Sequence, residues 1–190
     1  MSKLLTEADF ERAADTLGCD VPAIKAVCEV EAPQGGFLED GITPRILFEA
    51  HHFSRLTQHR YDESHPGISS RTWSRALYAG GIREHRRLVD AVALDRNAAL
   101  QSASWGLFQC MGFNYRLCGF ATIQEFINAM YKDEGAHLDA FIGFVKHERL
   151  DAPLREHRWM DFARGYNGSG YAANQYDTKL ADAWVKWGGA

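Results

Sequence analysis

Glu31 is the residue whose placement in the sequence points most directly to chemistry. If the segment ending at Ala32-Pro33 is wound as a helix at about 100° per residue, then Ile24, Val27, Cys28 and Glu31 fall at i, i+3, i+4 and i+7 and share one stripe. Glu29 lies roughly 140° from Ile24 by the same arithmetic and faces water. Glu31 thus occupies a position that the pattern assigns to an apolar side chain. It also falls in the last turn, where the helix dipole presents negative charge. Burial and dipole both disfavour the carboxylate form, so both raise the pKa. A general acid working near neutral pH needs that shift. The plain alternative is an ordinary helix-end glutamate, partly exposed or paired with an arginine.

Other chemistry-bearing residues are less pointed. Glu49 ends the apolar run Ile46-Leu47-Phe48 and is expected at the edge of the core, where it either works beside Glu31 or is tied to Arg45, His51 or backbone amides. Asp40, Asp90 and Asp95 are readily explained by loops and helix caps. Glu49-Ala50-His51-His52 joins a carboxylate to two imidazoles, with His59 and His65 downstream. Adjacent histidines point in different directions, however, and the i, i+4 pair of an HExxH zinc helix is absent. Cys19, Cys28, Cys110 and Cys118 follow no CxxC or zinc spacing and are read as reduced, mostly buried thiols. No metal and no cofactor are expected.

The elements that must position these residues are mainly helical. Thr6 caps a first helix running to Leu17, with Gly18 closing it. Asp20-Val21-Pro22 opens the second, which carries Glu31 and stops before Pro33. Ile46-Leu47-Phe48 is a strand or the start of a buried helix. Residues 54–75 are expected to form a surface loop or small irregular lobe. Helical spacing returns from Arg83 to Ala93 and from Asp95 to Ala103. The capping box Thr122-Ile123-Gln124-Glu125 starts one long helix to about His147. Short helices follow at Trp159 to Arg164 and Asp177 to Trp187. The sum is a mainly α single domain over 1–190, with room for a small β or irregular lobe.

Composition narrows the function. The 190 residues are 46% hydrophobic and 12% aromatic, enough for a substantial core, and the net charge of −4 argues against a nucleic-acid partner. No signal-type h-region opens the chain, and no segment approaches the roughly 18 apolar residues of a membrane span. The expectation is a monomer made in a cytoplasm and dependent on outside help to leave it.

Three separated segments resemble a known superfamily. Ala26-Val27-Cys28-Glu29-Val30-Glu31-Ala32 is similar to the helix of lytic transglycosylases and goose-type lysozymes that carries their glutamate. Ser104-Trp105-Gly106-Leu107-Phe108-Gln109-Cys110-Met111-Gly112 is similar to their Gly-Leu-Met-Gln segment, and Arg164-Gly165-Tyr166-Asn167-Gly168-Ser169-Gly170-Tyr171 to their Ala-Tyr-Asn-x-Gly segment. A closer match, including Leu5 to Phe10, Ile46 to Glu49, Ser102 to Gln109 and Tyr176 to Leu180, resembles the N-acetylmuramidase domain of phage endolysins. In those proteins a peptidoglycan-binding domain often comes first, so this chain is read as the catalytic unit alone.

The resemblance implies a lysozyme-like fold. It further implies cleavage of the β-1,4 bond between N-acetylmuramic acid and N-acetylglucosamine in peptidoglycan glycan strands, without a cofactor. Glu31 becomes the proton donor; Gln109, Tyr166, Asn167 and Tyr171 become substrate-binding residues. Glycoside hydrolysis usually employs two carboxylates, which makes Glu49 the second candidate, although in the transglycosylase-like group one glutamate can suffice with help from the substrate's N-acetyl group. Ala32 and Cys110 depart from the serine and aliphatic residue usual at those positions. Trp73, Tyr78, Trp105 and Tyr115 are further aromatics that could face a pyranose. The alternatives are a lytic transglycosylase giving an anhydro product, a metallopeptidase, a cysteine amidase, or a non-enzymatic murein-binding module. Release from the host cytoplasm to the periplasm through a holin pore is implied by the likeness to endolysins.

Overall fold

The computed structural model describes residues 3–190, the side chains of residues 169 and 170 excepted. Helices dominate. α1 (Glu7–Leu17) and α2 (Val21–Glu31) begin and end where their punctuation dictates. Thr6 forms a capping box with Asp9, Gly18 closes α1 at φ 68°, and Asp20 accepts the Ala23 amide at 2.7 Å to start α2. Ile24 and Val27 are wholly buried along α2, while Glu29 stands in solvent and holds Lys186 at 2.8 Å.

Residues Ile46–Phe48 form a strand, β1. It pairs antiparallel with β2 (Ala103–Trp105), which pairs with β3 (Cys110–Met111), giving sheet order β1-β2-β3 with Ile46 opposite Trp105 and Ser104 opposite Met111. Residue 103 therefore belongs to a strand, whereas the helical spacing from Asp95 carried it in a helix. Strands this short have no periodicity to read. The region after β1 also departs from expectation: α3 (Ala50–Leu56) runs three residues into the stretch expected as loop, and turns occupy 57–64 and 66–68. α4 (Ile82–Leu94) and α5 (Arg96–Gln101) follow, separated by Asp95, which caps α5.

The expected long helix from Thr122 to His147 is two helices, α6 (Ile123–Lys132) and α7 (Glu134–His147). Asp133 between them is fully extended (φ −164°, ψ 170°) and caps α7 by accepting the Ala136 amide at 2.8 Å. The apolar stripe continued across the break because Met130, Glu134 and Leu138 are all buried. α7 is buried nearly all round, with Leu138, Ala140, Phe141 and Val145 at zero exposure, and so forms the axis of the core. A short α8 (Asp151–Arg155) and α9 (Trp159–Asn167), one turn longer than its pattern suggested, lead to α10 (Tyr176–Lys186). α10 packs along α2 and is fastened there by Trp184, whose indole donates to Asp20, and by Trp187, whose indole donates to Glu29.

Candidate active site

The C-terminal end of α2 opens into a cleft of about 350 Å³ lined by Glu31, Phe108, Gln109, Met111, Tyr166 and Tyr176, among others. A second hollow of about 240 Å³ continues from it; Glu31 and Gln109 line both, joined there by Pro33, Gly35, Arg45 and Gly106. Glu31 sits at the junction of the two. Among the described residues lining them it is the one carboxylate. Burial pushes its pKa up, opposed in part by a hydrogen bond from Asn167 and by the positive charge of Lys179. The Asn167 amide donates to Glu31 Oε1 at 3.0 Å. Oε2 accepts no hydrogen bond from the described residues, so a proton on it is free to be donated.

The sequence-derived residues divide clearly. Glu31, Gln109, Tyr166 and Asn167 converge on the cleft. The Gln109 side chain, however, is folded back into the protein: its amide nitrogen donates to Gly106 O at 2.8 Å and Arg45 O at 3.3 Å, and its carbonyl accepts from Ser104 at 2.8 Å. Gln109 itself is in the left-handed region (φ 48°), so these bonds lock the β2–β3 turn in a shape that its backbone disfavours. Tyr166 is similarly committed. Its hydroxyl donates to Phe108 O at 3.1 Å, and its ring is enclosed by Phe141, Phe144 and Phe162. It is a wall of the cleft, with its phenol pKa raised by burial.

Two expected residues lie elsewhere. Tyr171 does not line the cleft; the Arg164 guanidinium lies over its ring. Glu49 is the N-cap of α3, and both its oxygens share the Tyr78 hydroxyl at 2.8 Å, with His51 Nδ1 at 3.2 Å. It does not line either hollow. Trp105 is core, with its indole donating to Leu100 O. Among the described residues no three His, Cys, Asp or Glu side chains gather to hold a metal. The four cysteines are free; Cys110 and Cys118 are buried against each other below the cleft, and Cys19 and Cys28 are half-buried.

Sequence reasoning missed Tyr176 and Asn114, which join Glu31 in lining the cleft. Tyr176 begins α10, and the packing of α10 on α2 carries it to Glu31; burial, and after it the negative charge of Glu31, raises the phenol pKa. Nothing local in the sequence marks it.

What holds the cleft walls is α7. Glu134, 5% exposed, accepts the Gly36 amide at 2.8 Å and the Leu5 amide at 3.1 Å. One turn on, His137 accepts the Leu107 amide on Nδ1 and donates from Nε2 to Met130 O. Its ring packs so tightly on Gly36 and Gly106 that a Cβ at either would meet it at 2.5 or 2.9 Å. The loop after Glu31 and the turn before Gln109 are thereby gripped by neighbouring turns of one helix. Arg45 completes the frame, donating to the carbonyls of Gln34, Gly35 and Phe37.

With this geometry in view, the relatives are informative. No curated protein sequence matches the chain. A solved structure, the crystal structure of Burkholderia AP3 phage endolysin, superposes with a TM-score of 0.91 at 38% identity, covering 98% of this chain and 72% of that one. The fold is thus mainly α and lysozyme-like, as that likeness and the small three-stranded sheet both show. Residues 20–188, which include α2 with Glu31 and every wall of the cleft, match the N-acetylmuramidase family, and the chain belongs to it.

Proposed function

We propose that this chain cleaves the β-1,4 bond between N-acetylmuramic acid and N-acetylglucosamine in peptidoglycan, with Glu31 as the general acid. The supporting observation is that Glu31 is, among the described residues, the single carboxylate lining the cleft and is biased by burial toward its protonated form. With Asn167 holding Oε1, the proton rests on Oε2 and passes to the glycosidic oxygen as the bond to the muramic acid anomeric carbon breaks. Among the described residues no second acid lines the cleft, so positive charge developing on the sugar ring is met by the substrate's own N-acetyl carbonyl, and water completes the hydrolysis. Glu49 is given no part in bond cleavage.

The chain acts, on this reading, as a monomeric endolysin on the cell wall after release from the cytoplasm in which it is made. Among the described residues no helix is long and apolar enough to cross a membrane, and a holin pore supplies the exit.

Glu31→Gln tests the assignment. The amide still accepts from Asn167 but has no proton to give, so clearing of outer-membrane-stripped Gram-negative cells falls by about 10²- to 10⁴-fold, the usual worth of a general acid. Wild-type clearing by this variant removes Glu31 from the mechanism. Mass spectrometry of the digest then identifies hydrolysis, since an anhydro product is lighter by one water.

A further inference from the structure

Trp73 is 60% exposed, more than any other Trp, Tyr or Phe among the described residues. It is nevertheless held in place. Its indole N–H donates to the Tyr78 hydroxyl at 2.7 Å, and that hydroxyl donates to both oxygens of Glu49 at 2.8 Å. The two rings meet edge to face, 74° apart with centroids 6.2 Å from each other. Glu49 also faces His51, whose ring lies 4.1 Å from that of His52, and His52 packs on Phe113 at 5.0 Å. In sequence Phe113 falls between Met111 and Asn114, both of which line the cleft.

We propose that Trp73 and Tyr78 form an accessory pyranose-binding platform, which takes a sugar of the same glycan strand at a distance from the scissile bond. A pyranose has an apolar C–H face and a rim of hydroxyls. It fits a large flat ring set beside polar groups, and the indole is such a ring, with the Tyr78 hydroxyl at its edge and Glu49 and His51 linked behind that hydroxyl. An exposed tryptophan free to rotate would lose side-chain entropy on binding; this one is fixed beforehand by the bond to Tyr78. The occupant is identified by continuity, because the row of contacts from Trp73 ends at Phe113, the chain neighbour of Asn114 in the cleft wall. Glu49 then has a defined job as the anchor of the platform. The inference rests on the reading of the cleft as a glycan site, and its test is chosen to be independent of bond cleavage.

The experiment compares Glu31→Gln with Glu31→Gln/Trp73→Ala and Glu31→Gln/Tyr78→Phe, none of which needs to turn over. Binding is measured to murein glycan strands freed of peptides and fractionated by length. Loss of one aromatic contact weakens binding of long strands by about tenfold and that of the shortest fragments by less than about twofold, so the penalty grows with chain length. Tyr78→Phe, which frees the indole but keeps both rings, gives a smaller loss of the same length dependence. Equal binding by all three at every length overturns the platform, as does an equal loss at every length. Failure of the cleft reading shows differently, as wild-type protein that leaves these strands uncut.

Discussion

The Asn167 side-chain amide donates to Glu31 Oε1 at 3.0 Å, joining residues 136 positions apart in sequence. The bond favours the charged carboxylate, whereas burial favours the proton, and burial dominates. Asn167 therefore trims the acid without cancelling it, and it fixes which oxygen carries the proton.

Asn167→Ala removes the trimming contact. The Glu31 pKa rises further, and the alkaline limb of the kcat/KM profile moves to higher pH. Because Oε1 also loses its orienting donor, kcat falls at the same time. A profile of lysis rate against pH, superimposable on wild type after scaling, would mean that Asn167 does not act through Glu31.

Stability is linked to the same proton. The native state holds the Glu31 proton more tightly than the unfolded chain, whose carboxyl titrates near its ordinary value. Native protein therefore binds more protons between the two pKa values, and unfolding free energy drops as pH rises through that window. Glu31→Gln abolishes this contribution, so the variant gains on wild type above the window and shows no such gain below it. Urea denaturation at several pH values measures the difference; a gain independent of pH contradicts the burial account.

Gly36→Ala and Gly106→Ala both drive a methyl into the His137 ring, at 2.5 and 2.9 Å, and Gly106 is also at φ 70°. Each is expected to cost about 1–3 kcal/mol as an overpacked site, with Gly106 the worse for its backbone strain. Chemical denaturation gives the cost. Gly41, at φ 63° with nothing near its Cβ position, is the control that isolates strain from crowding.

Glu134→Gln leaves the Gly36 and Leu5 amides with one good acceptor between them instead of two. A buried amide without a partner costs about 1–3 kcal/mol. Amide hydrogen exchange should show Gly36 losing protection, along with loss of lysis out of proportion to the loss of stability, since the loop beside Glu31 shifts. Unchanged exchange at Gly36 would deny the carboxylate its anchoring role.

Much of this was legible in the sequence, and the reasons are local. Asp20, Pro22 and Pro33 bracket α2, and the spacing within it puts Glu31 in line with the buried Ile24 and Val27, although Cys28 and Glu31 at that end are only half-buried. Thr6 and Thr122 announce their helices through capping boxes. The break at Asp133 was obscured because Glu134 and Leu138 prolong the apolar stripe across it; an Asp followed by Glu-Gly was the available sign. β2 and β3 carry three and two residues, too few for alternation to be seen. Tyr176 and the inward folding of Gln109 depend on contacts between distant segments, which no window of sequence contains.

The grip of α7 on Gly36 and Gly106 has a bearing on the order in which the molecule comes together. Its two anchors, Glu134 and His137, follow the loops they hold by 98 and about 30 residues in the chain. During synthesis both loops emerge before the helix that shapes them. A partly made chain can thus present Glu31 on a finished α2 and still have no cleft around it. Tyr166, Asn167 and Tyr176 come later still, so a chain cut short of residue 134 carries Glu31 without the helix that shapes its loops or the residues that wall its cleft.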